Sequence, residues 1–569
     1  MDYNFSKRIR QILGLFLLFA LVIICKLFWV QIIRNDLYSQ KSENQYSNSV
    51  SNIFDRGSIF FESKDGVKIG AATVKEGYIL AISPKILKNA NSVFDTLSEY
   101  IKIDKETFIE KANKTDDPYE EIQKKVEKSV GESILNLKIP GVILSKDTWR
   151  TYPGDYTAAQ SIGLIGYDDK NNVAGRYGLE RYYESTLSRN SQGIKTNIFA
   201  EIFSEIKNTV FSDTKNEGDV VISIEPTVQN YLEKTIEEIQ TKWKSDSVGA
   251  IIMDPNTGSI YALASRPTFN PNNLKDIKDP KVFSNPLIED VREMGSIIKP
   301  LTMATGIDSG AIKSDSTYND TGSMELNGKK ISNFDKKARG VISMPEVLMQ
   351  SLNIGAATIA LKVGHDNFTK YFKSLGLGEL TGIDQPNEQK GITKNLESTR
   401  DVEIATASYG QGIALTPIET VRALSTLANG GMLIVPHIAK KIEYVDGSSK
   451  TIENSSIRIF KKETTDDVTR ILVKLVDTAL KKGKVKMDHY SIAAKTGTAQ
   501  IANPASKGYY DDRYLHSFFG YFPAYNPRFI VFIYHVYPKN VEYSSETLTD
   551  PFIQITKFLI NYYELPPDR

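Results

Sequence analysis

In "VREMGSIIKPLT" a serine is followed three residues later by a lysine: Ser296 and Lys299. On a helix a three-residue step puts both side chains on one face. A serine hydroxyl is a poor nucleophile unless a base within hydrogen-bond reach takes its proton. Lysine serves as that base where desolvation or a second cation lowers its pKa toward neutrality. Pro300 suits a helix start, because the first turns have no intrahelical N–H partner to lose. The stretch therefore predicts a helix with Ser296 at its N-terminal end, where free backbone N–H groups and the dipole favour developing negative charge.

The spacing alone is weak, since Ser204–Lys207 and Ser212–Lys215 repeat it. Two further stretches strengthen it. "MQSLNIGAAT" supplies Ser351-Leu352-Asn353, and "AAKTGTAQ" supplies Lys495-Thr496-Gly497-Thr498. S-x-N recurs at Ser42–Asn44 and Ser188–Asn190, but K-T-G occurs once. The order S-x-x-K, S-x-N, K-T-G resembles the active-site set shared by penicillin-binding proteins and serine β-lactamases.

Elements must position these residues. At 569 residues the chain suggests two or three domains. Its 41% hydrophobic and 24% charged composition is globular. A formal net charge of +1, with lysines scattered among acids, gives no field to recruit nucleic acid. The single cysteine, Cys25, excludes a disulfide framework and a cysteine zinc site. His365, His437, His489, His516 and His535 show no ligand spacing, so neither a metal nor a cofactor is expected.

Residues 12–33, "ILGLFLLFALVIICKLFWVQII", are long enough to span a bilayer. Lys26 can snorkel beside Trp29, and no small-x-small cleavage site follows. Lys7, Arg8 and Arg10 precede the span, so the positive-inside rule leaves residues 1–11 in the cytoplasm and the body outside the membrane. In that body, "DKETFIEKANKTDDPYEEIQKKVEKS" reads as exposed helices broken at Asp117-Pro118. "EPTVQNYLEKTIEEIQTKW" reads as a helix burying Val228, Leu232, Ile236, Ile239 and Trp243. "GAIIMDPNTGSIYALAS" reads as two strands around a turn at 255–258, "HSFFGYFPAYNPRFIVFIYHVY" as further strands, and "PFIQITKFLINYY" as a closing amphipathic helix. An α+β domain beginning near residue 225 follows from that order, with a more polar module at 34–224 before it.

The chain resembles the class B penicillin-binding proteins, membrane-anchored peptidoglycan transpeptidases, over nearly its whole length. Besides the trio, the similar blocks are "GAIIMDPNTGSIYALASRPTFNPN", "ASYGQGIALTPIE", "LANGGMLIVPHI" and "HSFFGYFPAYNPR". In the N-terminal half, "DRGSIF", "RTYPGDYTAAQSIGLIGY" and "GRYGLERYYESTL" resemble boxes of the family's pedestal module. The resemblance implies a multidomain α+β fold: an anchor, a pedestal of the class B dimerisation type over 34–224, and a penicillin-binding domain over 225–569 with an antiparallel sheet packed with helices.

It also implies roles. Ser296 would attack the penultimate D-alanine of a pentapeptide stem, expelling the terminal D-alanine, while Lys299 accepts the serine proton. Ser351 would relay a proton to the leaving amine, and Asn353 would hold Lys299 and the substrate amide. Lys495 would keep Lys299 neutral, and Thr496 and Thr498, flanking Gly497, would grip the substrate carboxylate. The N–H groups of Ser296 and Thr498 would form an oxyanion hole. β-Lactams would acylate the same serine. Arg56, Arg150 and Glu180 would form a charge cluster tying the pedestal to the catalytic domain.

Some positions depart from the family pattern. Met294 and Ile297 replace its usual proline and threonine, with Ile297 expected to point away from the serine–lysine face. Leu352 is bulky enough to narrow the cleft. Glu293, Asn333-Phe334-Asp335 and Asn353 resemble the division, or septal, branch. The alternatives are a D,D-carboxypeptidase and a partner-dependent or non-catalytic division scaffold. The implied partners are nascent glycan, the membrane and a glycosyltransferase of the shape, elongation, division and sporulation (SEDS) group.

Overall fold

Glu225 accepts a hydrogen bond from Val228 N at 2.7 Å and Pro226 opens the first turn, which fixes the start of helix Pro226–Trp243. Val228, Leu232, Ile236 and Ile239 are buried along it as expected, and Trp243 is half-buried. The computed structural model describes residues 55–170, 172–189, 216–275, 277–506 and 508–569. The expected anchor at 12–33 lies outside them. Among the described residues, no helix is long and apolar enough to cross a membrane.

The described chain divides into two compact units. The smaller gathers 74–149. In it the second half of strand Lys68–Ile82 pairs antiparallel with Glu120–Glu127, with Tyr78 opposite Val126. Leu80, Ile82, Val93, Leu97, Phe108 and Ile134 fill its core. The expectation of exposed helices holds only in part here. Lys105–Ala112 is a helix but buries Phe108, and the segment after Pro118 is a strand. Cross-strand pairing and burial of Val126 override the helix preference of its Glu and Lys residues.

The larger unit gathers the described residues of 56–73, 150–189 and 216–569. Stretches of the polar N-terminal half thus pack with the C-terminal body, a division that sequence order does not reveal. Its centre is a five-stranded antiparallel sheet in the order Ala493–Asn503, Gly508–Phe522, Phe529–Val536, Ser247–Met253, Ile260–Arg266. Gly258, at φ +80°, makes the turn between the last two possible. Every residue of Phe529–Val536 is buried, so this strand is covered on both faces. Helix Thr549–Tyr562 closes one face, stacking Phe552 on Phe518 and Phe558 on Tyr231 of helix Pro226–Trp243. On the other face Ser517 reaches the turn that carries Ser296, donating to Met294 O at 2.8 Å.

Candidate active site

Ser296 lies in a short 3₁₀ turn, Gly295–Ile298, that runs into helix Lys299–Asp308 with Pro300 in its first turn. The helix start expected from the sequence is present, displaced so that the α-helix proper begins at Lys299. The turn is clamped by close backbone contacts. Gly295 N donates to Gly410 O at 3.0 Å, and a Cβ on Gly410 would fall 2.2 Å from Gly295 O. Behind it Ile297 is buried and touches the face of Gly497, where a Cβ would lie 2.9 Å from its methyl. Ile297 therefore packs into the core.

Lys299 and Lys495 are both buried, at 1% and 2% exposed. Lys299 Nζ donates to Ser351 O at 2.6 Å and to Ser351 Oγ at 3.2 Å. Lys495 Nζ donates to the same Oγ at 3.1 Å and to Thr496 O at 2.9 Å. Among the described residues no carboxylate hydrogen-bonds to either lysine. Burial, and then the charge of Lys495, hold the Lys299 pKa well below that of an ordinary lysine. Burial lowers Lys495 to about 7. A neutral amine at Lys299 has a lone pair with which to take a proton.

Ser351 joins helices Glu346–Met349 and Asn353–Val363 and holds a left-handed backbone at φ +56°. For a residue with a Cβ this conformation is strained, and such strain concentrates at functional sites. It turns the Ser351 hydroxyl toward both lysines. Leu352 does not narrow the cleft: it is 0% exposed and part of the hydrophobic core. The turn at Ser351 sends consecutive side chains in different directions, and the apolar one goes inward.

The Asn353 amide donates to Ser332 O at 2.9 Å. The hydrogen bonds of Lys299 go to Ser351, so the expected tie from Asn353 to Lys299 is absent among the described residues. Asn353 anchors a neighbouring loop instead, in which buried Asn333 donates to both oxygens of Asp320 and accepts from Ile354 N.

Thr496, Gly497 and Thr498 lie on the edge strand Ala493–Asn503. Thr496 and Thr498 are half-exposed while Lys495 and Gly497 are buried, as strand alternation requires. Thr498 Oγ1 accepts from Ser544 N at 3.2 Å. Sequence reasoning did not assign Ser544 a role, and no local pattern links residues so far apart. Glu293, read only as a branch marker, accepts from Gly412 N at 2.9 Å and Tyr509 Oη at 3.0 Å. Burial pushes its carboxyl up.

Away from this cleft, Arg56, Arg150 and Glu180 come together with side chains at most 2% exposed. Glu180 bridges Arg56 Nε at 2.7 Å and Arg150 Nε at 2.6 Å, and Glu184, missed from the sequence, takes Arg56 Nη2 at 2.7 Å. Arg150 also donates to Gly57 O at 2.8 Å.

The penicillin binding protein transpeptidase domain matches residues 248–556. The chain belongs to the penicillin-binding protein transpeptidase family. The penicillin-binding protein dimerisation domain also matches, over residues 55–222. Among curated relatives, stage V sporulation protein D of Bacillus subtilis is 26% identical over 96% of this chain and 84% of its own length. The peptidoglycan D,D-transpeptidase FtsI of Escherichia coli K12 is 26% identical over 99% of this chain and 93% of its own. Penicillin-binding protein 2X of Streptococcus thermophilus shares the fold, with a TM-score of 0.73 at 19% identity over 90% of this chain and 80% of that one.

Proposed function

We propose that this penicillin-binding protein is a serine-type peptidoglycan D,D-transpeptidase with Ser296 as nucleophile. The observation that carries this reading is the pair of buried lysines sharing the Ser351 hydroxyl, with no carboxylate among the described residues bonded to either. Neutral Lys299 takes the Ser296 proton as Oγ attacks the carbonyl carbon of the penultimate D-alanine. The N–H groups of Ser296 and Thr498 face the developing oxyanion. The C–N bond then breaks, and the proton passes through Ser351 to the departing D-alanine amine. An amine of a neighbouring stem attacks the acyl-enzyme, its surplus proton returns to Ser296 by way of Lys299, and a cross-link remains. Edge strand Ala493–Asn503 offers unpaired backbone groups to an extended peptide, and Thr496 and Thr498 are its half-exposed hydroxyls.

A fluorescent penicillin tests this on the full chain in detergent, with intact-mass measurement. A stable adduct on the wild type that is absent from Ser296→Ala supports the reading, and no adduct on folded wild type overturns it. Lipid-linked glycan then separates the acceptors. Cross-linked dimers mark a transpeptidase, whereas trimmed stems alone mark a D,D-carboxypeptidase.

We place the enzyme in septal wall synthesis, held by residues 12–33 in the cytoplasmic membrane with its catalytic body outside. Glu293, Asn333-Phe334-Asp335 and Asn353 support the septal branch, and a SEDS-type glycosyltransferase is the partner we expect. Depletion should give filamentous cells, and rounded cells would favour elongation instead.

A further inference from the structure

Ser517 points to the nucleophile turn, so its neighbour His516 points to the opposite face of the sheet. There a line of hydrogen bonds runs through groups that the acyl-transfer steps do not use. Ser245 Oγ lies 2.8 Å from His535 Nδ1, and His535 Nε2 lies 2.9 Å from Thr547 Oγ1. Thr547 Oγ1 lies 2.9 Å from His516 Nδ1, and His516 Nε2 lies 2.9 Å from Glu542 O. Both imidazoles are 0% exposed.

Proton accounting gives the line one direction. The Glu542 carbonyl can only accept, so His516 Nε2 carries a hydrogen. Burial lowers the His516 pKa to about 4, so the ring is neutral and Nδ1 accepts from the Thr547 hydroxyl at 2.9 Å, in preference to the Ser544 carbonyl oxygen 3.3 Å from that hydroxyl. The Thr547 oxygen then accepts from His535 Nε2, and His535 Nδ1 accepts from Ser245. Each of these donors meets an acceptor, a satisfied buried network that fixes the segment on which it ends.

That segment, residues 542–547, is the one that reaches the edge strand. Ser544 N donates to Thr498 Oγ1 at 3.2 Å, and Thr498 stands directly opposite His516 across the two strands. With its oxygen accepting from Ser544, the Thr498 hydroxyl keeps its hydrogen available for an anion.

We propose that Thr547, held by His516 and His535, is a positioning residue that fixes Ser544 so that Thr498 presents its hydroxyl hydrogen to the carboxylate of the donor peptide. The proposal rests on the transpeptidase reading above and adds to it a determinant of substrate-carboxylate binding.

The test is saturation kinetics of acylation by a fluorescent penicillin, a carboxylate-bearing ligand, on the full chain in detergent. Thr547→Val removes the hydroxyl at nearly constant shape. It should lower the second-order constant about tenfold through weaker apparent binding, with the limiting acylation rate within about twofold of wild type. Thr547→Ser should restore binding. In a Thr498→Val background, Thr547→Val should add no further loss, because both act through one hydroxyl.

Wild-type kinetics in Thr547→Val, a loss confined to the limiting rate, or losses that multiply in the double variant would each overturn the proposal. Should Thr547→Val fail to fold, His535→Phe removes the donor to Thr547, and a loss of about threefold in the same binding constant is expected. An unchanged constant in that variant overturns the proposal too. A folded wild type that forms no adduct overturns the transpeptidase reading, and this inference with it.

Discussion

Lys299 Nζ lies 2.6 Å from the carbonyl oxygen of Ser351 and 3.2 Å from its hydroxyl. A neutral amine has two hydrogens for these two acceptors and keeps one lone pair. Ser351 Oγ in turn accepts from both Lys299 and Lys495, which leaves its own hydrogen free to be passed on.

The charge of Lys495 is one of the two causes that lower the Lys299 pKa, after burial. In the proposed mechanism a protonated Lys299 cannot take the Ser296 proton, so acylation should fall as pH falls below that pKa. Removing Lys495 raises the pKa. In Lys495→Gln the acid limb of the pH profile for penicillin acylation should therefore move to higher pH. Lys299→Ala should lose acylation by about 10²–10⁴-fold at every pH. An acid limb unmoved in Lys495→Gln would show that the two ammonium groups are not coupled.

Gly410 has φ +78°, and a Cβ there would meet Gly295 O at 2.2 Å. Gly410→Ala should cost about 1–3 kcal/mol in stability. It should also displace the turn that carries Ser296. Thermal melting and penicillin acylation on one sample check both effects, and acylation should fall even below the melting range.

Glu180 is the shared counter-ion of two buried guanidinium groups. Glu180→Gln leaves them without it and should cost about 3–5 kcal/mol. Denaturant unfolding measures this. A cost under about 1 kcal/mol is what exposed ion pairs give and would contradict the burial seen here.

Leu352→Ala should behave as a core truncation, losing about 2–5 kcal/mol in unfolding experiments. Penicillin acylation at low temperature should stay near wild type. A faster reaction would instead mean that Leu352 restricts the cleft.

His516 titrates near 6.5 when unfolded and is lowered to about 4 by burial when folded. Its native neutral form is favoured fully above the unfolded value, and that contribution, about 3 kcal/mol, is lost as pH falls from about 6.5 to 4. Glu419, pushed up to about 7 by burial, works in the opposite sense in the same range. The useful measurement is therefore a difference. The stability gap between wild type and His516→Asn, read from urea midpoints, should shift against the wild type as pH is lowered. A gap that stays constant with pH would mean His516 is not held neutral.

The sequence by itself determined what rests on short range. Apolar spacing announced helix Pro226–Trp243, alternation with a Pro-Asn-Thr-Gly turn announced the hairpin Ser247–Arg266, and the three motifs singled out the two lysines and Ser351 that the fold brings together. Such features are fixed by backbone geometry and local sterics within a few residues. Only the tertiary structure decided which distant groups meet among the described residues: Asn353 with Ser332 rather than Lys299, Leu352 with the core, Glu120–Glu127 with the strand at Tyr78, and Ser544 with Thr498. Each of those outcomes is a competition between burial and hydrogen bonding among residues far apart in sequence, and no local preference encodes it.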